Sequence, residues 1–170
     1  MKTIYYTEFL YDAHREIKTV AFYDRASTSG RQETNNSRFA QSDQAREVLE
    51  QYPSWQCIFS DDPRNGGVCF LDVGKGWVVE NFDNKHRQFF MRLVKDERID
   101  TILAFYEDRL YREKSARKMV FSLCKKYHKN LVLMLSSAGK YRRIQFEAQT
   151  RQAFLDFQRD ALLERFYRVG

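Results

Sequence analysis

Short apolar runs recur along the chain at residues 20–23, 56–60, 101–106 ("TILAFY") and 131–135 ("LVLML"). Runs of this length, rich in β-branched and aromatic residues, predict strands buried on both faces. Helical periodicity fills the intervals. Residues 39–52 place Phe39, Ala45, Val48, Leu49 and Tyr52 on one side and stop at Pro53. Residues 89–94 form the centre of a second helix. In "KSARKMVFSLCKKYHKN", Ala116, Met119, Val120, Leu123, Cys124 and Tyr127 share the face of a third. Buried strands alternating with helices predict an α/β fold in three layers: a mainly parallel sheet of about four to five strands flanked by helices.

Three segments depart from that rhythm. "GGVCFLDVGKGWVVENF" reads as two short strands around Gly74-Lys75-Gly76, a β-hairpin inserted within residues 63–83. Residues 145–167 lack Pro and Gly, and Ala148, Phe154, Leu155, Phe157, Ala161, Leu162 and Phe166 mark a long helix whose broad apolar stripe needs a partner. Residues 1–18 carry charges throughout and read as an extension before the first strand, not as a signal peptide.

Composition narrows the class. With 170 residues, 43% hydrophobic and 31% charged, the chain is long enough for one folded domain, and no apolar run approaches a membrane span. Cys57, Cys69 and Cys124 have no paired spacing, which points to a reducing, cytoplasmic setting. The net charge of +6 is uneven. Residues 1–108 hold 14 Lys and Arg against 18 Asp and Glu, whereas residues 109–170 hold 15 against 5. A basic second part suits a polyanion such as nucleic acid, although a solvated basic surface gives the same count.

In an open α/β sheet, chemistry gathers beyond the carboxyl ends of the strands. The first strand delivers Tyr23, Arg25 and Ser27 there, the second Asp61 and Asp62, and the third Asp108, Arg109 and Arg112. A serine after a strand is ordinarily a turn residue, and two arginines at a helix start ordinarily meet solvent. Together they suit a phosphodiester, because guanidinium forks match phosphate oxygens and keep their charge at any working pH. Asp61, Asp62, Asp100 and Asp108 could instead serve a metal-dependent nuclease. Cys124 and His128, four apart on a helix, have the spacing of half a zinc site without a second half, so a core thiol and a surface histidine are the simpler reading.

Tyr23-x-Arg25-x-Ser27-Thr28, followed by Asp100 and then by Asp108-Arg109-Leu110-x-Arg112, resembles the catalytic domain of the serine site-specific recombinases, the resolvase/invertase and large serine integrase family. The resemblance implies a resolvase-like fold over residues 1–140, with the start of a long DNA-binding and dimerisation helix at 141–170 and a DNA-binding domain beyond the chain. It implies Ser27 as nucleophile, Arg25, Arg109 and Arg112 as phosphate partners, and Asp108 as a proton-handling or orienting residue. Tyr23, Gln44 (or Gln41), Asp61, Lys95 and Asp100 match supporting positions. Arg142 and Arg143 precede the helix residues Arg159, Glu164 and Arg165, which bear on DNA or the dimer partner. Where the family carries an arginine opening the second helix, this chain has His86 followed by Arg87. The implied activity is site-specific recombination of double-stranded DNA through a covalent phosphoserine. It needs no cofactor or metal, and it involves a homodimer that becomes a tetramer during strand exchange. A recombinase-like domain kept only to assemble DNA complexes is the non-enzymatic alternative.

Overall fold

The structure is a computed structural model that describes residues 3–26, 31–61, 66–74, 77–79 and 87–169, without the side chains of 31–39, 139–144, 146 and 164–169. Six strands form one sheet: β1 (Tyr5–Tyr11), β2 (Thr19–Ala26), β3 (Gln56–Cys57), β4 (Cys69–Val73), β5 (Thr101–Ala104) and β6 (Asn130–Ser136). Four helices accompany them: α1 (Arg31–Gln51), α2 (Gln88–Lys95), α3 (Lys114–Lys126) and α4 (Ser137–Val169). The strand order is β1-β6-β5-β2-β3, with β4 also on β2, and the β2–β3, β2–β4, β2–β5 and β5–β6 pairings are parallel.

The expected strands and helices are present, and two expectations change. Residues 1–18 are more than an extension, since Tyr5–Tyr11 forms β1 beside β6 at the edge of the sheet. Its mix of exposed and half-buried residues shows no clean alternation, so periodicity gave no strand signal there. Of the hairpin expected within residues 63–83, the first arm is β4, which lies parallel to β2; Trp77 and Val78 belong to no strand, and residues 63–65, 75–76 and 80–83 lie outside the described residues.

The reason lies in β2. β3 covers only Thr19 and Val20, with Ile58 N–H adding a bond to the Val20 carbonyl. The rest of that edge would leave backbone groups unpaired inside the protein. β4 fills it in register from Phe22↔Cys69 to Ala26↔Val73.

Helices cover both faces of this strand pair. On one face Tyr23 meets Phe90 of α2 edge-on with centroids 5.3 Å apart, and Phe70 meets Phe89 at 5.8 Å. On the other, the Cys69 thiol is hydrogen-bonded to Ser42 of α1, and Phe22 stacks on Phe105 at 5.7 Å. α1 buries Gln41, Ser42, Ala45 and Val48, a one-sided spacing. β2 is therefore buried along almost its whole length, charged residues included.

The chain divides into two compact units, residues 1–6 with 135–170, and residues 7–134. In the first, the Ser137 N–H donates to the Ile4 carbonyl, and α4 starts there rather than near residue 145. Its 33 residues span about 50 Å at ~1.5 Å per residue. Phe154, Leu155, Phe157, Leu162 and Leu163 are exposed along it. Among the described residues, no helix is long and apolar enough to cross a membrane.

Candidate active site

Two segments far apart in sequence clasp each other at the carboxyl ends of β2 and β5. Arg25, on β2, is buried to 1% exposure. Its Nη2 donates to the Asp108 carbonyl at 3.0 Å and its Nη1 to the Gly74 carbonyl at 3.3 Å. In return, Arg109 Nη1 donates to the Arg25 carbonyl at 3.1 Å. Asp108 and Arg109 sit in a 3₁₀ turn, Glu107–Arg109, directly after β5. The Arg112 N–H donates to the Trp77 carbonyl, and its exposed side chain lies close enough for its charge to depress the pKa of Arg25.

Arg87 joins this group. It immediately precedes α2, is 1% exposed, and its Nη1 donates to the Val73 carbonyl at 3.1 Å. Burial is the main cause lowering the pKa of both Arg25 and Arg87. For Arg25 the charges of Arg112, Arg109 and Arg87 push the same way, and for Arg87 that of Arg112 does. Four guanidinium groups thus share one region. Among the described residues, the Nε atoms of Arg25, Arg87 and Arg109 are buried there without a hydrogen-bond partner.

A second network braces the cluster from beneath. Trp77 Nε1 donates to the Tyr23 hydroxyl at 3.1 Å, and that hydroxyl is hydrogen-bonded to Asp72. The Asp72 carboxylate also accepts the Phe89 and Phe90 N–H groups at 2.8 and 3.1 Å, capping α2 just after Arg87. Burial raises the Asp72 pKa to about 6 against those hydrogen bonds, and burial together with the Asp72 charge raises that of Tyr23. Tyr23 therefore acts here as a neutral strut.

Asp24, between Tyr23 and Arg25, is 1% exposed. Its Oδ1 accepts the Arg25 N–H at 2.7 Å and lies 3.9 Å from Arg109 Nε, while its Oδ2 is buried without a partner. Burial lifts its pKa to about 6, opposed by the Arg25 N–H and the charges of Arg109 and Arg25, and assisted by that of Asp108.

The structure thus gathers Tyr23, Arg25, Asp108, Arg109 and Arg112. Ser27 follows Ala26 in the chain but lies outside the described residues, as do Asp62 and His86. Other expected site residues are placed elsewhere. Asp100 sits before β5, at the opposite end of the sheet, where its carboxylate accepts the N–H groups of Lys18 and Thr19 and the Thr101 hydroxyl. Lys95 is exposed at that same end, lining a cavity with Arg15 and Lys129. Asp61 accepts from Arg92 of α2 at 3.1 Å and is largely exposed.

Gln44 is half-buried on α1, whereas Gln41 is buried with its Oε1 unpartnered. Arg159 pairs with Asp156 and Asp160 of its own helix. Arg142, Arg143, Glu164 and Arg165 belong to α4, with side chains outside the description. Of the carboxylates in the nuclease alternative, Asp100 lies at the opposite end of the sheet from Asp108, and Asp62 is outside the described residues. Among the described residues no three His, Cys, Asp or Glu side chains are grouped to hold a metal ion. Asp24, Asp72 and Trp77 escaped the sequence reading. A lone aspartate inside each of two apolar runs, "AFYDRA" and "CFLDV", was the available signal.

No protein-family model matches the sequence, and no curated protein does. Among solved structures, the chain is similar to a serine recombinase from Sulfolobus solfataricus, with 16% identity, 84% of this chain and 88% of that one covered, and a TM-score of 0.42. It is also similar to the product of the first ORF of transposon ISC1904 from Sulfolobus solfataricus P2, with 17% identity, 68% and 66% covered, and a TM-score of 0.39. Neither likeness assigns a role to any side chain.

Proposed function

We propose that this chain carries the catalytic centre of a serine recombinase, in which the Ser27 hydroxyl attacks a backbone phosphate of double-stranded DNA. The observation that carries this reading is the cluster of guanidinium groups at the carboxyl ends of β2 and β5, where Arg25, Arg87 and Arg109 each bury an Nε–H without a hydrogen-bond partner among the described residues. A buried donor left unmet costs about 1–3 kcal/mol, and clustered cations repel. A phosphate brought among the four groups offsets their repulsion and offers acceptors to the Nε–H groups of Arg25 and Arg87. Arginine is suited to that task because its fork meets two phosphate oxygens at once.

The step is a transesterification. As the Ser27 Oγ–P bond forms, the P–O3′ bond breaks. The serine proton is lost, O3′ gains one, and the 5′ phosphate stays on the protein. The new ester conserves the phosphodiester's energy, so the reverse attack by another 3′-hydroxyl rejoins DNA without an external energy source. Arg25, Arg87, Arg109 and Arg112 stabilise charge spreading over the equatorial oxygens. Asp108, whose carbonyl anchors Arg25, orients that set or handles the proton. The long helix α4 contacts DNA and pairs subunits as a homodimer, with two dimers meeting in the recombining tetramer.

The test is to mix the protein with a pool of randomised duplexes, denature it, and look for DNA that stays on the protein through an oxygen–phosphorus bond to Ser27, located by mass spectrometry. The expected result is an adduct in the natural sequence and none in Ser27→Ala. An adduct that survives Ser27→Ala, or cleavage that EDTA stops without any adduct, overturns the reading.

A further inference from the structure

We propose that Asp24 is a positioning residue whose carboxylate closes onto the Nε–H of Arg109 and holds that guanidinium toward the scissile phosphate. This rests on the serine recombinase reading for its catalytic consequence, though not for the contact itself. Asp24 Oδ1 stands 3.9 Å from Arg109 Nε, about an ångström beyond a hydrogen bond. Among the described residues, both Arg109 Nε and Asp24 Oδ2 are buried without a hydrogen-bond partner. The carboxylate thus faces an unmet Nε–H through Oδ1, which the Arg25 N–H already occupies, and still has the acceptor capacity of Oδ2 to spare, so a small side-chain movement closes the gap. Arg109 is already tethered at Nη1 by the Arg25 carbonyl. A second hold at Nε would fix the guanidinium plane, with Nη2 taking part in neither contact.

The one hydrogen bond that Asp24 accepts among the described residues, from the Arg25 N–H, does not require a charge. An asparagine or a threonine in that position would accept it without the cost of burying a carboxylate. What the charge adds is attraction for Arg109. The groups that face it are Arg25 on its own strand, Arg109 and Asp108 from the turn after β5, and the Cys69 thiol from β4. The charge of Arg46 on α1 acts on the neighbouring Cys69. Because the Asp24 carboxyl titrates at about 6, acid releases the hold on Arg109. Asp72 titrates in the same range but faces Tyr23 and Arg87, so it serves as the control.

The experiment follows the Arg109 Nε–H resonance by 15N NMR from pH 5 to 8 in the intact protein. It should shift with a midpoint near 6, do so equally in Asp72→Asn, and stay flat in Asp24→Asn. An Arg109 signal that ignores pH in the natural sequence, or that still titrates in Asp24→Asn, overturns the inference. Should Asp24→Asn fail to fold, the Asp24 carboxyl 13C titration decides. Its midpoint should rise in Arg109→Ala, and an unchanged midpoint overturns the inference. On DNA, Asp24→Asn should slow adduct formation about tenfold and erase the inflection near pH 6, with Asp24→Glu recovering part of the rate. A rate and profile equal to the natural sequence's overturn it. If the natural sequence forms no adduct at all, the recombinase reading fails while the NMR result still decides the Asp24–Arg109 contact.

Discussion

The two ends of the sheet bury similar side chains to opposite effect. At the amino ends, Asp100 ties Lys18, Thr19 and Thr101 together. Asn130 bonds the Ala13 N–H at 2.9 Å and the Arg15 carbonyl at 2.6 Å. The Lys129 ammonium donates to the carbonyls of Asp96 and Ile99. Among the described residues, none of these side chains is left with an unpartnered buried atom. At the carboxyl ends, Asp24, Arg25, Arg87 and Arg109 each keep one. The first arrangement closes on itself and fastens the segment between β1 and β2 to the sheet. The second is held open by backbone carbonyls that grip each arginine by part of its fork and leave the rest. A buried polar group is a structural device when its bonds are complete, and a candidate for binding when they are not.

The strongest way to break this contrast is to remove guanidinium groups from the open end. Arg109→Ala and Arg112→Ala should each lower the single-turnover rate of adduct formation by about 10²–10³-fold, the scale for losing one charge-stabilising donor. Arg112 is exposed and its backbone does the anchoring, so denaturant titration of Arg112→Ala should show stability unchanged within about 0.5 kcal/mol. A large loss of stability there would make the cluster a structural device like its counterpart.

Asp100→Ala tests the closed end in the reverse direction. It leaves two backbone N–H groups and a hydroxyl without their acceptor, so urea unfolding should reveal a loss of about 2–4 kcal/mol. The adduct rate per folded molecule should stay as it was. A selective loss of activity would return Asp100 to the site.

Acid titration sharpens the comparison further. Burial raises Asp24 and Asp72 from 3.8 to about 6, so between those values the folded protein binds more protons than the unfolded chain. Each group's contribution is fully present below pH 3.8 and is lost as pH rises through 6. Asp24→Asn should therefore gain stability relative to the natural sequence as pH rises from 4 to 7, on the order of 2 kcal/mol. Thermal melts at the two pH values measure it, and equal differences at both would place Asp24 outside the open end's electrostatic strain.

The smallest effects belong to residues at neither network. The Arg92–Asp61 pair is exposed, and Lys95 lies at the amino-end surface. Asp61→Ala and Lys95→Ala should each change unfolding free energy by less than about 1 kcal/mol and leave adduct formation unaltered. A tenfold drop in either rate would extend the site well beyond the arginine clasp.

Much of this molecule was legible before any coordinates. Continuous apolar runs and one-sided helices specified the α/β alternation, because burial on two faces demands that pattern and little else satisfies it. The motif segments around Arg25 and Asp108-Arg109 were legible for the same reason, each standing at the end of such a run. What sequence alone could not decide was where edges and open bonds would fall. Local turn signals at Gly74 pointed to a hairpin and said nothing of the parallel register in which β4 covers the upper half of β2. Asp100 and Arg109 are both polar residues beside the same strand, and only the three-dimensional packing sends one to a finished knot and the other to an unfinished one. Periodicity reports which faces are buried. Whether a buried charge meets its partners depends on segments brought together from across the chain, and that is a property of tertiary structure.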